Sequence, residues 1–389
     1  VSDYKRTDHS RSHLYPPSLR LMNDSKDVLF SEYNLNGIKL KNRIVMAPMT
    51  RSFSPKGVPA DYAPSYYAKR AAGGVGLIIT EGVEVSHRAA SGYLDVPNLE
   101  SDESKMMWEK VVSAVHKNGS PIFCQLWHVG GIRKLGMPPF PDVPGFTPSG
   151  CIKPGKKVAY EMTESDIEEL IEIYASDAKI CEELGFDGVE IHGAHGYLID
   201  QFFWDAINTR TDQFGGSLEN RARFASSIIQ ETQQRTSAEF QVGIRISQWK
   251  QQDYEAKITS DRDELNLFLN ILKNAGADFL HCSNRRFWEG EFSENGLNLA
   301  GIAKKTTGLP SISVGSVGVD KDFIKLYAGD HQTKTTDLNK LHQKLNNAEF
   351  DLIAVGRALL SDPEWANKVQ NGQEKDIIPF DKSFVENYV

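Results

Sequence analysis

Cysteine is scarce in this chain, with four in 389 residues. The four lie far apart, and no two of them form a Cys-x-x-Cys motif; they are Cys124, Cys151, Cys181 and Cys282. Neither a disulfide framework nor a cysteine-rich zinc site is therefore predicted. This usage is typical of a reducing compartment, so we expect a cytoplasmic protein. Because the sequence opens on Val1, a targeting segment upstream, or its remnant in the first residues, is the alternative.

Long apolar runs and basic clusters are also missing. No apolar stretch reaches the roughly 18 to 20 residues that a membrane-spanning helix needs. Asp and Glu (52) outnumber Lys and Arg (44), which gives a net charge of −8 and a pI near 5.8. We therefore expect neither a membrane nor a nucleic acid as partner. The expected partner is a small-molecule substrate, and the expected assembly is a monomer or a homodimer.

Two nucleotide-binding signatures are absent. No Gly-x-Gly-x-x-Gly occurs, which argues against a Rossmann domain. The segment from Gly150 to Lys157 nearly matches a P-loop, but it ends in Lys157 where a Ser or Thr would hold magnesium. No apolar strand leads into it either. We therefore expect no P-loop function from this segment.

Eight short apolar runs are present instead, each followed by a helix-like stretch. One such stretch, 162–184, begins with Thr163 and Asp166 in the positions of a capping box. Continuous apolar strands that alternate with amphipathic helices are typical of parallel strands covered by helices. Eight of them predict an α/β fold of the (β/α)8 TIM-barrel type. The runs are Ile44–Ala47, Gly76–Thr80, Pro121–Leu126, Gly188–Ile191, Gln241–Ile246, Phe279–Cys282, Ser311–Val314 and Asp351–Val355.

The predicted barrel is a single domain of residues 29–389. It follows residues 1–28, which are polar, carry no hydrophobic period and predict a flexible N-terminal arm. One domain is compatible with this length, because α/β barrels commonly carry insertions.

Two insertions interrupt the repeat. Val129–Tyr160 is long, rich in Pro and Gly and follows the third strand, so it is predicted to cap the active-site end of the barrel. Residues 330–349 are polar and place Leu338, Leu341 and Leu345 at the spacing of one helical face. They predict a surface helix before the eighth strand, without a chemical role.

Two imidazoles and a phenol lie within six residues at the end of the fourth strand. His192, His195 and Tyr197 follow directly on this strand, where barrel enzymes place catalytic groups. Three alternatives are open at this point. The histidines could act in catalysis, they could satisfy local backbone groups, or they could bind a metal with Glu190 or Asp200. Catalysis is favoured, because two histidines and a tyrosine occur together among three glycines. The metal hypothesis lacks an obvious pattern for a third ligand, such as a second histidine pair.

Other strand ends carry polar residues that would complete a ring around the same opening. A glycine-rich corner after the seventh and eighth strands is where such barrels hold a phosphate group. A planar, hydrogen-bonding ring system attached to a phosphate fits this set, and FMN is such a molecule. The residues are Thr50, Gln125, Arg245, Gly315, Ser316, Gly356 and Arg357.

The motifs in their order resemble the old yellow enzyme family of FMN-dependent ene-reductases, also called NADH:flavin oxidoreductases. The resemblance extends from about residue 30 to about residue 370. The matching motifs are Asn42–Arg51, Gly76–Gly82, Gln125–Trp127, Gly185–Tyr197, Asn208–Arg221 and Gly356–Arg357.

The resemblance implies an NAD(P)H-dependent enzyme that reduces the activated C=C bond of α,β-unsaturated carbonyl compounds. It implies ping-pong kinetics, with hydride transfer from flavin N5 and a proton from Tyr197. His192 and His195 would bind the carbonyl oxygen, beside walls formed by Trp127 and by Trp288 or Phe287. No metal is implied. The FMN-binding residues would be Ala47, Pro48, Met49, Thr50, Gly82, Gln125, Arg245, Gly315, Ser316, Gly356 and Arg357.

Substrate preference follows less directly from this resemblance. The segments Gln248–Tyr254 and His281–Trp288 resemble a bacterial-type branch more than the fungal enzymes. The C-terminal aromatic residue of many members has no clear match near Phe384 and Val385. A specialised reductase of oxylipin enones, nitro compounds or nitrate esters is the alternative within the family. A metal-dependent barrel hydrolase using His192 and His195 is the alternative outside it.

Overall fold

Eight parallel strands form a closed barrel, as the apolar runs predict. The computed structural model describes residues 27–293, 296–321 and 332–388. Each barrel strand pairs with its neighbours in chain order, and the last pairs with the first. The strands are β1 (Ile44–Met46), β2 (Leu77–Glu84), β3 (Ile122–Trp127), β4 (Gly188–His195), β5 (Gln241–Lys250), β6 (Phe279–Ser283), β7 (Ser311–Val314) and β8 (Leu352–Val355).

Helices cover the outside of the barrel. The helix after the insertion begins behind Thr163, whose side chain and that of Asp166 form the predicted capping box. None of the helices that the structure describes is both long and apolar enough to cross a bilayer. The helices are α1 (Ala63–Ala72), α2 (Asp102–Lys117), α3 (Glu164–Glu183), α4 (Leu198–Phe203), α5 (Leu218–Arg235), α6 (Arg262–Asn274), α7 (Leu299–Thr307), α8 (Asn339–Asn346), α9 (Arg357–Ser361) and α10 (Trp365–Gln370).

The strands are apolar on both faces because both faces are buried. Val45 packs in the barrel interior, while its neighbours Ile44 and Met46 pack in the outer cluster with the helices. Across the interior, the rings of Phe123 and Phe279 stack at 5.4 Å. A hairpin of Tyr33–Leu35 and Ile38–Leu40 adds two leucines to this interior cluster. The interior is a packed core, so open space for a ligand has to lie at a strand end.

Strand β2 is longer than its apolar run predicts. The sequence pattern ends it before Glu81, but the strand continues to Glu84, and both carboxyl groups are buried. Glu81 Oε2 accepts a hydrogen bond of 2.9 Å from the Arg51 backbone N–H, and the Tyr67 hydroxyl lies beside the same residue. Burial raises the pKa of Glu81 to about 7. Hydrogen-bond partners inside the fold, which the sequence pattern does not reveal, therefore allow acids in this strand.

The insertion after β3 follows the C-terminal end of that strand, but none of residues 129–160 lines the cavity at this end of the barrel, so the predicted cap is not formed by its side chains. The buried Arg133 guanidinium anchors the insertion by donating to the backbone oxygens of Ser91, Met137 and Phe140 at 2.6 to 2.8 Å. The P-loop-like segment is an antiparallel hairpin of Cys151–Lys153 and Lys156–Lys157, so it does not have the strand–loop–helix context of a phosphate loop.

The second insertion includes the predicted surface helix. Helix α8 buries Leu341 and Leu345, and His342 Nδ1 lies 3.1 Å from the Asp27 carboxylate. Residues 330 and 331 of this insertion, and residues 1–26 of the predicted N-terminal arm, lie outside the described residues.

A buried ion pair joins β5 to the chain that follows β4. Lys250 Nζ donates to Asp200 Oδ1 at 2.5 Å, and neither side chain is exposed to solvent. Asp200 Oδ2 accepts a second hydrogen bond, of 2.6 Å, from the Gly196 N–H. Burial raises the pKa of Asp200 to about 6, although Lys250 acts in the opposite direction. The pair therefore fixes geometry at an electrostatic cost, as buried pairs often do.

We predict that Lys250→Met lowers the free energy of unfolding by about 3 to 5 kcal/mol at pH 7, because Asp200 loses its buried cation. Without Lys250 the pKa of Asp200 rises further, whereas the unfolded carboxyl still ionises near 4. The folded variant therefore loses stability relative to the wild type as the pH rises from 6 to 8. Chemical denaturation at several pH values measures this difference.

The matched control is Lys157→Met, which breaks the exposed pair of Lys157 and Glu161. This variant should keep the wild-type denaturation midpoint, since exposed pairs contribute little. If the difference in unfolding free energy between Lys250→Met and the wild type were the same at pH 6 and pH 8, the titration of Asp200 would not explain the loss of stability.

Candidate active site

A cavity of about 910 Å³ opens at the C-terminal end of the barrel. Its walls bring together residues that are distant in the sequence and that sequence patterns placed in one ring. All but two of the predicted site residues line it. Those that do are Ala47, Pro48, Met49, Thr50, Gln125, Trp127, His192, His195, Tyr197, Arg245, Gly315, Ser316, Gly356 and Arg357.

The two exceptions are Gly82 and Trp288, which the structure places away from the cavity wall. A Cβ at Gly82 would lie 2.5 Å from the ring of Trp127, so this glycine makes room for the Trp127 side chain. Trp288 packs against Phe287 and the main hydrophobic cluster, with Lys340 Nζ 5.4 Å from its ring. Phe287 is buried in the same cluster. Neither aromatic residue after β6 therefore forms the predicted wall.

Trp249 and Tyr254 form that wall instead. The Trp249 ring stacks on His195 at 4.5 Å and on Tyr254 at 5.6 Å. The Arg285 guanidinium lies 5.3 Å from the centre of the Tyr254 ring. The sequence gives a partial indication of this wall, because the chain continues past the apolar part of β5 into Gln248–Tyr254. It does not reveal which of these side chains face the cavity.

The last residues described form a further part of the wall. Val385 and Glu386 line the cavity, and the Arg51 guanidinium binds the segment by donating to the backbone oxygens of Phe384, Val385 and Asn387 at 2.7 to 3.2 Å. The Tyr388 ring packs 4.2 Å from that of Tyr66. Tyr388 does not line the cavity, but Phe380, which lies slightly earlier in the chain, does.

The polar floor of the cavity is built around a buried carboxylate. Glu190 is fully buried and accepts hydrogen bonds from Gln125 Nε2 at 2.7 Å and from His281 Nδ1 at 2.6 Å. Burial acts to raise the pKa of Glu190, but His281, Arg245 and Gln125 outweigh it and hold this pKa below the ordinary value. From the sequence, Glu190 is predicted only as a possible metal ligand, and no role is predicted for His281.

Arg245 and Gln125 face the cavity from this floor. Among the described residues, Arg245 Nε is buried and has no hydrogen-bond partner. A buried, unpartnered guanidinium N–H is costly and is expected to meet an acceptor on a ligand. The floor therefore suits a flat ring system that presents carbonyl oxygens and N–H groups along one edge, as the flavin of FMN does.

The corner after β7 and β8 suits a phosphate. The chain turns at Gly315 with φ of 148°, where a Cβ would lie 2.5 Å from the backbone oxygen of Asn284. At Gly356 a Cβ would project beside Met49 at 3.4 Å, with no closer protein atom. Gly315 thus permits a turn that a side chain would block, Gly356 leaves space beside the chain, and the Arg357 guanidinium, which donates to Ser316 Oγ at 3.4 Å, supplies positive charge.

His192 and His195 lie side by side at the end of β4, with ring centres 5.2 Å apart. The register of β4 against β5 shifts between Gly193 and His195, and His195 has φ of 64°, which turns both rings towards the cavity. Burial lowers the pKa of each imidazole well below its ordinary value, and the charge of Arg245 adds to this shift. Both rings are therefore neutral at pH 7.

The hydrogen bonds of the two rings differ. His192 Nδ1 accepts from the Ala194 N–H at 3.3 Å, so the proton of this neutral ring is on Nε2. His195 Nε2 instead lies 2.7 Å from Ser283 Oγ.

Tyr197 completes the group. Its ring packs edge-on against Trp127 and His192, with centres 4.9 and 5.0 Å apart. Its hydroxyl lies 3.2 Å from that of Tyr93, which also lines the cavity. Burial, together with Tyr93, raises the pKa of the Tyr197 phenol well above 10. At pH 7 this phenol therefore holds a proton that it can donate.

The geometry does not favour the metal hypothesis. Within residues 27–293, 296–321 and 332–388, no three or more His, Cys, Asp or Glu side chains are grouped to hold a metal ion. Glu190 is bound to His281 and Gln125, and Asp200 is bound to Lys250, so both candidate third ligands are engaged elsewhere.

Comparison with known proteins shows the family of this chain. Residues 28–376 match the model of the NADH:flavin oxidoreductase / NADH oxidase family. The chain is similar to 12-oxophytodienoate reductase 7 of Oryza sativa subsp. japonica, with 33% identity over 87% of each protein. It is also similar to 12-oxophytodienoate reductase 1 of the same organism, with 36% identity over 65% of this chain and 67% of the relative.

A solved structure of morphinone reductase in complex with tetrahydroNAD covers 92% of this chain and 93% of its own, with a TM-score of 0.76 and 26% identity. It has the same barrel. With a family match over most of its length and relatives above 30% identity, the chain belongs to the NADH:flavin oxidoreductase / NADH oxidase family and is an NAD(P)H-dependent FMN oxidoreductase.

Proposed function

We propose that this enzyme reduces the activated C=C bond of α,β-unsaturated carbonyl compounds. The observation that carries the proposal is the group of His192, His195 and Tyr197, in which two neutral imidazoles and a protonated phenol face one cavity. Such a group can bind a carbonyl oxygen and deliver a proton to a nearby carbon. A reduction of this kind needs both.

FMN is proposed to bind across the floor and the glycine-rich corner. Gln125 and Arg245 would hold the hydrogen-bonding edge of the flavin, and Gly315, Ser316, Gly356 and Arg357 would hold the phosphate. Ala47, Pro48, Met49 and Thr50 would lie along the ring. Bound FMN supplies the hydride, taken from NAD(P)H, that is added to Cβ of the alkene.

His192 and His195 are proposed to donate hydrogen bonds to the carbonyl oxygen of the substrate. As Cβ is reduced, negative charge develops on that oxygen, and two donors already in place stabilise it. Neutral rings suit this role, because each keeps one N–H without adding a buried charge. Trp127 and Trp249 would confine the substrate between them and exclude water.

Tyr197 is proposed to protonate Cα. Its phenol is neutral at pH 7, so a proton is available where negative charge accumulates in the substrate. The Tyr93 hydroxyl, at 3.2 Å, can hydrogen-bond to the phenolate that is left and so limits the cost of the transfer.

The names of the relatives suggest a narrower substrate class than the family name does. The names of the relatives, 12-oxophytodienoate reductase and morphinone reductase, make a cyclic enone the preferred test substrate. An oxylipin enone is the specialised alternative, and the site shows no feature that favours nitro compounds or nitrate esters. The bacterial-type branch and a monomer or homodimer remain predictions.

We predict that the FMN-loaded protein bleaches in the visible spectrum when NADPH or NADH is added anaerobically, and that the colour returns when cyclohexenone is added. Return with cyclohexenone tests the proposed substrate class directly. Bleaching without return would contradict the ene-reductase proposal while leaving the family assignment intact.

Tyr197→Phe should slow reoxidation by cyclohexenone by about 10²-fold or more, because the proton donor is lost. Reduction by NAD(P)H needs no proton from Tyr197 and should keep its rate. Anaerobic stopped-flow measurements separate the two half-reactions. Tyr93→Phe is the matched control and should give a smaller loss, since it removes only the partner hydroxyl; equal loss in both half-reactions of Tyr197→Phe would reject the assignment.

The rate of reoxidation by the enone should be nearly independent of pH between 6 and 9. The pKa values of His192 and His195 lie well below this window and that of Tyr197 lies above it, so no member of the group changes charge. A stopped-flow pH series measures this. An inflection near pH 6.5 that disappears in His195→Asn would show that His195 titrates there and would contradict the neutral-donor proposal.

A further inference from the structure

The second imidazole of the site has a partner that family resemblance did not point to. We propose that the Ser283 hydroxyl is a positioning residue: it donates to His195 Nε2 and thereby places the imidazole proton on Nδ1, facing the cavity. Only one part of this proposal rests on the proposed function: that His195 donates a hydrogen bond to a substrate oxygen. The hydrogen-bond direction itself can be tested without any substrate.

The direction of the hydrogen bond follows from what surrounds Ser283. Its side chain is 4% exposed, and His195 Nε2, at 2.7 Å, is the one hydrogen-bond partner of its hydroxyl among the described residues. A hydroxyl has a single proton. Ser283 also lines the cavity, but if His195 Nε2–H donated to it, the hydroxyl proton would have no acceptor among the described residues, which is costly for a residue so little exposed. The arrangement in which Ser283 donates satisfies it.

The other ring nitrogen of His195 faces open space. Nδ1 forms no hydrogen bond with the described residues, yet it is not among the buried side-chain atoms that lack a partner. It is therefore accessible from the cavity that His195 lines. Because the neutral ring has one proton and Nε2 accepts from Ser283, the N–H points into the cavity.

The ring cannot easily turn to exchange its two nitrogens. One face stacks on Trp249 at 4.5 Å, and the edge of the ring meets His192. Trp249 Nε1 donates to the backbone oxygen of Ser283 at 3.0 Å, so the same indole supports the ring and the serine. The backbone N–H of His195 is bound to Ser247 Oγ at 2.9 Å. Ring and serine thus keep a fixed relative position.

The two imidazoles are then complementary tautomers. His192 has its proton on Nε2, since its Nδ1 accepts from Ala194, whereas His195 has its proton on Nδ1. Each ring can direct one N–H to the same oxygen. With the opposite tautomer, His195 would present a lone pair to a carbonyl oxygen on which negative charge develops. Ser283 therefore determines whether the site has two donors or one donor and one repelling group.

The direct test is NMR of the FMN-loaded enzyme labelled with ¹⁵N-histidine. Two-bond ¹H–¹⁵N correlations distinguish a protonated ring nitrogen from a bare one, and loss of peaks in His195→Asn assigns His195. We expect the Nδ1–H tautomer in the wild type between pH 6 and 8. An Nε2–H tautomer there would overturn the proposal, whatever the substrate proves to be.

Ser283→Val and Ser283→Thr form a pair of nearly equal shape that differ in the hydroxyl. Ser283→Thr should keep the Nδ1–H signature and the wild-type rate of reoxidation by cyclohexenone. Ser283→Val should lose the pure Nδ1–H signature and slow reoxidation about tenfold, with NAD(P)H reduction unchanged. Valine with the wild-type tautomer, or threonine as impaired as valine, would reject the role of the hydroxyl.

The failure of each idea is distinguishable. If the tautomer depends on Ser283 but cyclohexenone never reoxidises the enzyme, the positioning role stands and the proposed function falls. If cyclohexenone reoxidises the wild type and Ser283→Val at equal rates with an unchanged His195 signature, the proposed function stands and the positioning role falls.

Discussion

A fully buried carboxylate, that of Glu190, determines how the centre of this molecule is arranged. An anion in such a place has to be surrounded by donors and positive charge. Strand β3 supplies Gln125 and β6 supplies His281, which both hydrogen-bond to Glu190, and β5 supplies the positive charge of Arg245, which lowers the pKa of this carboxyl. Gln125 donates an amide N–H to the carboxylate, and Arg245 Nε has no hydrogen-bond partner in the described part of the chain. The floor of the cavity is a consequence of neutralising this anion.

Much of this arrangement could be predicted from the sequence because barrel geometry is repetitive. Once eight apolar runs identify parallel strands, every residue that follows a run belongs to one end of the barrel. Polar residues in these places, such as Thr50, Gln125 and Arg245, are conspicuous against an apolar background. The glycines of the phosphate corner are recognisable for the same reason. The fold and the main polar residues of the cavity follow from this rule, whereas the family resemblance added Ala47, Pro48 and Met49.

The remainder depends on contacts across the barrel, which no local pattern encodes. The apolar pattern predicts that β2 ends before Glu81. The strand continues because Glu81 has hydrogen-bond partners, Arg51 and Tyr67, on other elements, which the pattern does not reveal. Trp288 is predicted to line the cavity because it follows the end of a strand, but its side chain packs against the hydrophobic core instead. Trp249 fills that place because β5 continues beyond its apolar run. Sequence spacing indicates where a strand ends, and tertiary packing decides which aromatic side chain faces the ligand.

The closure of the barrel has a consequence for biosynthesis. The Arg43 guanidinium contacts the backbone oxygen of Asp351 across 308 residues, and Arg51 reaches Asn387 across 336. Chains emerge from the ribosome at roughly 5 to 20 residues per second, so β1 waits tens of seconds for its partner β8. Until then neither the glycine-rich corner after β7 and β8 nor the C-terminal part of the cavity wall is complete. A product truncated before residue 351 would lack β8 and the parts of the cavity wall that follow it.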